Sequence, residues 1–326
     1  MLGQGGISST KQALFNPSTL TWTNLPGNGK SDTFSEEGFG LLPDGRILVV
    51  DTADIPNSEL YNTTTQSWTS AGNTPVVLVD AGSFEIGPQL QRPNGTLVAI
   101  GGTPHNAIYT FATNTWAATS DMPNGNDSAD GPAVVLPDGN LFLPASPGVF
   151  QGVITFFTFD GTSFTQAPGT ASSGRLQSWQ TRMIMLPTGQ ALYCVADGRT
   201  KDVELANSNG RPQKLWRPQI KSVPATLTRG TTVQIRGRQF NGLTCGSDYG
   251  DDATNATNYP LARITNSATH HVFYGKTHDH STMAIATGSL QVSTMFDVPA
   301  SAETGASVIE VVANGIPSKP VAVTIQ

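Results

Sequence analysis

The sequence predicts an all-β protein in which repeated four-stranded units form a β-propeller and a β-sandwich follows. Three observations carry that expectation. A strand–turn–strand pattern recurs as LPDGRILVV at Leu42, RPNGTLVAI at Arg92, LPDGNLFLP at Leu136 and LPTGQALYC at Leu186, and its prolines (Pro43, Pro93, Pro137, Pro187) are spaced by 50, 44 and 50 residues. An aromatic residue preceded by Thr or Ser recurs in antiphase at Trp22, Trp68, Trp116 and Phe164, with Trp216 as a fifth candidate. Two interleaved signals at one period describe a unit that stacks on copies of itself. The third observation is composition. With 34 Gly and 22 Pro in 326 residues and only 13% charged, the chain suits short strands joined by tight turns, and no segment has the periodicity of an amphipathic helix.

Residues 1–32 read as the outer half of one unit, with strand ALFN, a turn at Pro17-Ser18 and strand LTWTNL. Residues 33–75, 76–124, 125–170 and 171–217 each read as a full unit, in which the Pro-X-Gly hairpin comes first and an outer hairpin such as SELYNTTTQSWTSA follows. About five blades are therefore expected, the N-terminal one partial. The repeat stops near Pro218. A Gly/Asp/Asn-rich loop and alternating segments follow (LARITNS, HHVFYGK, STMAIATG, LQVSTMFDVP, ASVIEVVANG, PVAVTIQ). Strict alternation with closely spaced turn residues predicts a small β-sandwich, so the domains are expected at 1–217 and 218–326.

Net charge is −6 and no run of Lys or Arg appears, so nucleic acid is not an expected partner. No apolar run reaches the length of a membrane-spanning helix. The expectation is a secreted or periplasmic monomer whose leader has been removed, because the first six residues read as the end of an inner strand. Cys194 falls on a strand and Cys245 in a Gly-rich loop, and two idle thiols are favoured over a disulfide. There is no Gly-X-Ser-X-Gly elbow and no phosphate-binding glycine loop, since Gly101-Gly102 ends a repeat strand.

The Pro-X-Gly repeats, the stretch Phe273-Tyr-Gly-Lys-Thr-His-Asp-His-Ser-Thr and the ending Val312-Ala-Asn-Gly-Ile-Pro-Ser together resemble a kelch-type propeller with an appended immunoglobulin-like (E-set) domain, as in the galactose oxidase and glyoxal oxidase family. That family has seven blades and a copper–radical centre. The resemblance implies that His278 or His280 would occupy the place of a copper ligand. The rest of the ligand set does not follow. Where the family has adjacent Tyr and His before the last Leu-Pro-X-Gly turn, this chain has Trp179-Gln180; the cross-linked Tyr has no counterpart, and Cys194 lies beyond its turn on the other strand. Without two phenolates and a second histidine the copper site is not expected to assemble. More distantly, the chain resembles bacterial kelch proteins that carry an appended immunoglobulin-like domain.

Counting back about seven residues from each Pro-X-Gly turn reaches the start of each inner strand, at one mouth of a propeller. The positions are Glu36 (with Glu37), Glu85, Asp130 and Gln180. Carboxylates converging on one axis push a pKa upward, and a raised and an unraised carboxyl are the acid and base of glycoside hydrolysis. No cofactor is expected, although the same ring suits Ca²⁺, or a brace for neighbouring backbone N–H groups. His278 and His280 alternate on a strand and share a side, so facing the mouth they would serve as acid/base groups; a structural role stays open. His270 and His271 point opposite ways, and His105 is expected at the surface. Asp248, Asp251, Asp252 and Asn255 offer oxygen ligands, or Asx turns, in the Gly-rich loop. Trp179 either stacks on a sugar face or fills the core.

The expected function is thus an extracellular carbohydrate-processing protein. As a glycosidase it would use Glu36, Glu85, Asp130, His278 and His280, with Glu37, Trp179 and Gln180 contacting substrate. The alternative is a non-catalytic module that binds glycan or protein at the same mouth.

Overall fold

A computed structural model describes residues 2–4, 8–16, 18–249, 255–256 and 258–326. No α-helix occurs among them, and five antiparallel sheets succeed one another along residues 2–207. The first has β1 (Leu2–Gln4), β2 (Gln12–Asn16) and β3 (Thr21–Leu25). The second orders β4 (Gly40–Leu41), β5 (Ile47–Val50), β6 (Asn57–Asn62) and β7 (Ser67–Asn73) side by side. The third does the same with β8 (Gln89–Gln91), β9 (Thr96–Ile100), β10 (Asn106–Thr110) and β11 (Thr115–Ala118). The fourth has β12 (Pro132–Val135), β13 (Leu141–Ala145), β14 (Thr155–Phe159) and β15 (Phe164–Ala167). The fifth has three strands, β16 (Thr181–Met185), β17 (Gln190–Val195) and β18 (Val203–Asn207).

The Pro-X-Gly motif explains the hairpins. In each, the glycine (Gly45, Gly95, Gly139, Gly189) has φ between +84° and +88°, a conformation that a β-carbon disfavours. Its N–H closes a turn onto the carbonyl of the residue before the proline, as Gly45 does on Leu42 at 3.0 Å. The antiphase aromatics explain the packing of sheet on sheet. Trp68 tilts against Tyr61 at 5.0 Å and donates its indole N–H to Gln12 of the preceding sheet at 3.0 Å. Trp116 tilts against Tyr109 and donates to Ser58, again one sheet back. Between the second and third sheets lie Leu48, Val50, Leu60, Ile86, Leu97 and Ala99, all buried. First strands lie beside first strands: β4 by β8, β8 by β12, β12 by β16.

Two further sheets pack face to face. One runs β19 (Gln219–Ser222), β21 (Thr232–Arg238), β27 (Val292–Asp297) and β26 (Thr277–His278). The other contains β20 (Thr226–Leu227), β30 (Val321–Ile325), β28 (Gly305–Ala313), β24 (Leu261–Asn266) and β25 (Val272–Gly275), with β29 (Ile316–Pro317) folded onto β28. Alternating residues from both, among them Ile235, Phe296, Ile264, Ile309 and Val311, form one core.

The Gly/Asp/Asn-rich segment, expected as a loop, forms the remaining hairpin. β22 (Gly246–Tyr249) pairs with β23 (Asn255–Ala256) and also adds to the fourth sheet, antiparallel to β12, with Val134 opposite Ser247 and Pro132 opposite Tyr249. It also touches β8 and β16. The inner edge of β12 therefore faces another strand and not an open channel, since a buried strand edge needs partners for its N–H and C=O groups. Asp248 and Asn255, expected in a loop, lie on these paired strands; Asp251 and Asp252 fall outside the described residues. Cys245, just before β22, is buried and accepts the Gln91 N–H at 3.3 Å, and no disulfide joins it to Cys194.

Candidate functional site: an acidic mouth and a buried lysine

Three hydrogen bonds tie the starts of the first strands together. Gln89 Nε2 donates to Gly38 O at 3.2 Å, Asp130 N to Ile86 O at 3.1 Å, and Ser178 Oγ to Ala129 O at 2.9 Å. The segments preceding β4, β8, β12 and β16 thus meet at one end, which we call the mouth. Glu36, Phe84 and Asp130 each have left-handed φ, at 50°, 66° and 49°. By backbone conformation the counterpart of Glu36 and Asp130 is therefore Phe84, and Glu85 aligns with Glu37. Counting from the turn reached Glu85 instead because the second unit carries two extra residues there. Gln180 instead closes a 3₁₀ turn, its Oε1 accepting the Gln177 N–H at 3.0 Å.

Glu36 and Asp130 are half-buried and Glu85 is buried. Trp179 is 38% exposed and meets the exposed Phe150 edge-on at 6.5 Å; Phe84 is exposed as well. Asp127 lies buried below Asp130 and accepts the Ala129 N–H at 3.2 Å. Burial pushes its carboxyl up to about 6; that bond opposes the rise and the Asp80 charge adds to it. The sequence reasoning passed over Asp127 and Asp80, although each stands a few residues before a left-handed position, as Asp32 does before Glu36.

His278 and His280 find their partners within the two-sheet body. His278 Nδ1 is 2.9 Å from Asp279 Oδ2 and its Nε2 is 3.1 Å from Asp297 Oδ1. Hydrogen bonds to Asp279 and Asp297 raise its pKa, while burial lowers that of His280. The His280 ring stands edge-on to Tyr259 at 4.7 Å, with Nδ1 2.9 Å from Thr294 Oγ1. This body meets the repeats at the Pro-X-Gly ends: Asn314 Nδ2 donates to Val135 O at 3.1 Å, and Tyr259, Leu261 and Val312 line a cleft with Met185, Leu186 and Pro187. Those are the opposite ends of β12 and β16 from the mouth. The structure brings Glu36, Glu85, Asp130, Trp179 and Gln180 to one end of the strands, but not the two histidines. His105, half-exposed, pairs with Asp121, and His271 pairs with Glu303.

Glu37, expected at the mouth, is buried in a cluster that the sequence did not reveal. Lys30 Nζ contacts four carboxylates: Asp32, Glu37 at 3.0 Å, Asp51 at 3.3 Å and Glu59 at 2.8 Å. The Lys30 side chain is fully buried, and it lies 5.4 Å from the rings of both Phe34 and Trp68. Backbone donors complete the shell: Ser31 N reaches Glu59 Oε1 at 3.0 Å and Ala53 N reaches Asp32 Oδ2 at 3.1 Å. Burial works against the ammonium, but the four carboxylates together, Glu37 and Asp51 foremost, outweigh it and raise the Lys30 pKa. Burial pushes Glu37 up to about 10 against the pull of Lys30, and Asp51 up to about 7 for the same reason.

A signal for this cluster was present in the repeat. Glu59 pairs with Val49 where Ala107 pairs with Ala99 and Phe157 with Leu143. Asp51 occupies the column of Gly101 and Ala145. Asp51 therefore marks a local departure from the repeat, whereas the Glu59 column holds an acid again in the fifth unit, where Glu204 pairs with Tyr193. Oxygens of Asp32, Asp51 and Glu59 all lie within 4.8 Å of one another. An all-carboxylate set has the chemistry of a hard cation such as Ca²⁺ and contains none of the imidazole or thiolate that copper favours. The Lys30 ammonium lies among the same oxygens.

No protein-family model matches the sequence, and no curated protein matches it. Among solved structures the chain is distantly similar to one described as a novel fungal alcohol oxidase with catalytic diversity among the AA5 family, in complex with copper. The identity is 12% and the TM-score 0.38, over 97% of this chain and 90% of that one. It is also similar to domains 4–9 of the surface layer protein SbsC, at 13% identity and a TM-score of 0.16, over 62% of this chain and 29% of that one. Likenesses at this level carry no argument about the chemistry, which rests on the chain's own residues.

Proposed function

We propose that this protein binds carbohydrate at the mouth, in an extracellular setting, as a kelch-type propeller of about five blades over residues 1–217 with an immunoglobulin-like domain from 218 onward. The observation that carries the reading is the exposed Trp179 ring, edge-on to Phe150, on a turn that Ser178 Oγ ties to the carbonyl of Ala129, the residue before the half-buried Asp130. An aromatic face takes the C–H face of a sugar ring, and carboxylates and amides accept and donate to its hydroxyls. A glycan array probed with the intact protein tests this. Retention of defined glycans, lost in Trp179→Ala, supports it; binding unchanged in that variant, or no retained glycan, rejects it.

A second reading, glycoside hydrolysis, draws support from Asp127. A carboxyl held near 6 by burial has the protonation of a general acid, and Asp130 or Glu85 would supply the carboxylate. A panel of nitrophenyl glycosides separates the two readings: turnover abolished by both Asp127→Asn and Asp130→Asn supports hydrolysis, and no turnover leaves binding alone.

A further inference from the structure

A basic track crosses the junction between the last repeat and the two-sheet body, on the side away from the mouth. Lys214, Arg217, Lys221 and Lys319 line a cleft of about 570 Å³ over a floor that includes Ile220 and Val321. Arg217 also lines an adjoining cleft of about 350 Å³, together with Arg211 and the Pro-X-Gly residues Thr188 and Gly189. No Asp or Glu lines either cleft. The chain holds 18 Lys and Arg against 24 Asp and Glu, so five cations gathered without an acid run against its average. None of the five enters an ion pair among the described residues, whereas Lys30, Arg46 and Arg263 do. The buried Nε of Arg217 has no hydrogen-bond partner among the described residues either.

Neighbouring cations without counter-charges repel one another, and a buried guanidinium N–H without an acceptor carries a desolvation cost. An anion laid along the track relieves both. Two joined clefts fit an extended ligand better than a single small anion. The apolar floor fits the C–H face of a sugar ring, with acidic substituents reaching the cations on either side. Neither cleft is lined by an aromatic side chain on which a nucleobase would stack.

We infer that this track is a binding site for an acidic polysaccharide, carboxylated or sulfated, separate from the mouth and independent of what the mouth binds. The sequence hides it because its cations are spread between Arg211 and Lys221 and brought to Lys319 only by the fold.

The test measures binding of the intact protein to polygalacturonate by affinity electrophoresis, with dextran as the neutral polymer and a single-stranded DNA oligomer as the other polyanion. The triple variant Lys214→Gln, Lys221→Gln, Lys319→Gln changes exposed residues only. Wild type should bind polygalacturonate with an affinity that falls as salt rises, and the triple variant should bind at least about tenfold more weakly with an unchanged melting temperature. Dextran should not be retained, and DNA should bind more weakly than polygalacturonate. Equal binding of polygalacturonate by variant and wild type, retention by dextran that the triple variant loses, or tighter binding of DNA would each overturn the assignment, whereas dextran retention shared by both proteins would report the mouth. The wild-type salt titration needs no variant, and absent or salt-independent binding there overturns it as well.

Discussion

Replacing Lys30 by Met removes the only cation from a cluster of four buried or nearly buried carboxylates and keeps most of the side chain's bulk. Each contact near 3 Å is worth roughly 5 kcal/mol of gross attraction at an effective dielectric of about 20, offset in the native protein by the desolvation of every partner. Leaving buried charge uncompensated costs about 3–5 kcal/mol net. The pH dependence tells this apart from a packing loss. Glu37 and Asp51 already have folded pKa values raised by burial. Their favourable contribution is therefore complete below about pH 4, and it is lost as pH rises through about 7 for Asp51 and about 10 for Glu37. Lys30, its pKa raised, offsets that loss at every pH below its ordinary value. Without it the carboxyls climb further, so the variant's deficit should grow as pH rises through about 7, where Asp51 ionises beside the lysine, and be larger at pH 8 than at pH 4, where most carboxyls are protonated in both states. Urea denaturation between those limits, followed through tryptophan emission, measures it, Trp68 being packed directly against the lysine. A loss under about 1 kcal/mol at pH 8, typical of an exposed ion pair, or an equal loss at pH 4 and pH 8, would refute the reasoning.

Other perturbations test other layers. Asp127→Asn should flatten stability against pH: the native carboxyl, raised by burial to about 6, favours folding fully below about pH 4 and loses that benefit as pH passes 6, which melting temperatures across this range would show. Gly102→Ala should destabilise by about 1–3 kcal/mol, read from the denaturation midpoint, because a Cβ there would overlap the Glu85 carbonyl oxygen. Phe296→Ala should cost about 3–5 kcal/mol, since its ring is fully buried between the two face-to-face sheets, and calorimetry would register it. Trp179→Ala should cost less stability than Phe296→Ala while abolishing glycan retention, because Trp179 is 38% exposed whereas Phe296 is fully buried.

Much of the fold was legible because its signals are local. A Pro-X-Gly turn needs only five residues to declare a hairpin, and Trp68 and Trp116 recur because each must reach one sheet back. The mouth was legible to within a residue. Counting from the turn found Glu36 and Asp130 correctly relative to each other, and slipped at Glu85 because Phe84 takes the left-handed position in that unit. What stayed hidden depends on distant pairing. The Lys30 cluster joins three loops and strands from positions 30 to 59, and its acids look unremarkable until aligned with Ala107 and Gly101. The histidines' alternation suggested one shared strand, but β26 ends at His278 and Asp279 turns through a φ of 49°, so His280 lies beyond it. The strand at Gly246–Tyr249 reads as a polar loop because its order comes from the edge of β12, not from its own side chains.

That same strand bears on how the chain comes to be folded. β12 is completed by residues roughly a hundred positions downstream, a separation that makes pairing slow. During synthesis the fourth sheet would emerge with its inner edge bare and wait for the segment that seals it, an interval in which an exposed edge invites pairing with another chain. Shortening the protein at 217 in order to study the repeats alone would make that interval permanent. Such a fragment should aggregate where the full chain stays dispersed, and light scattering on refolding the two side by side would reveal the difference.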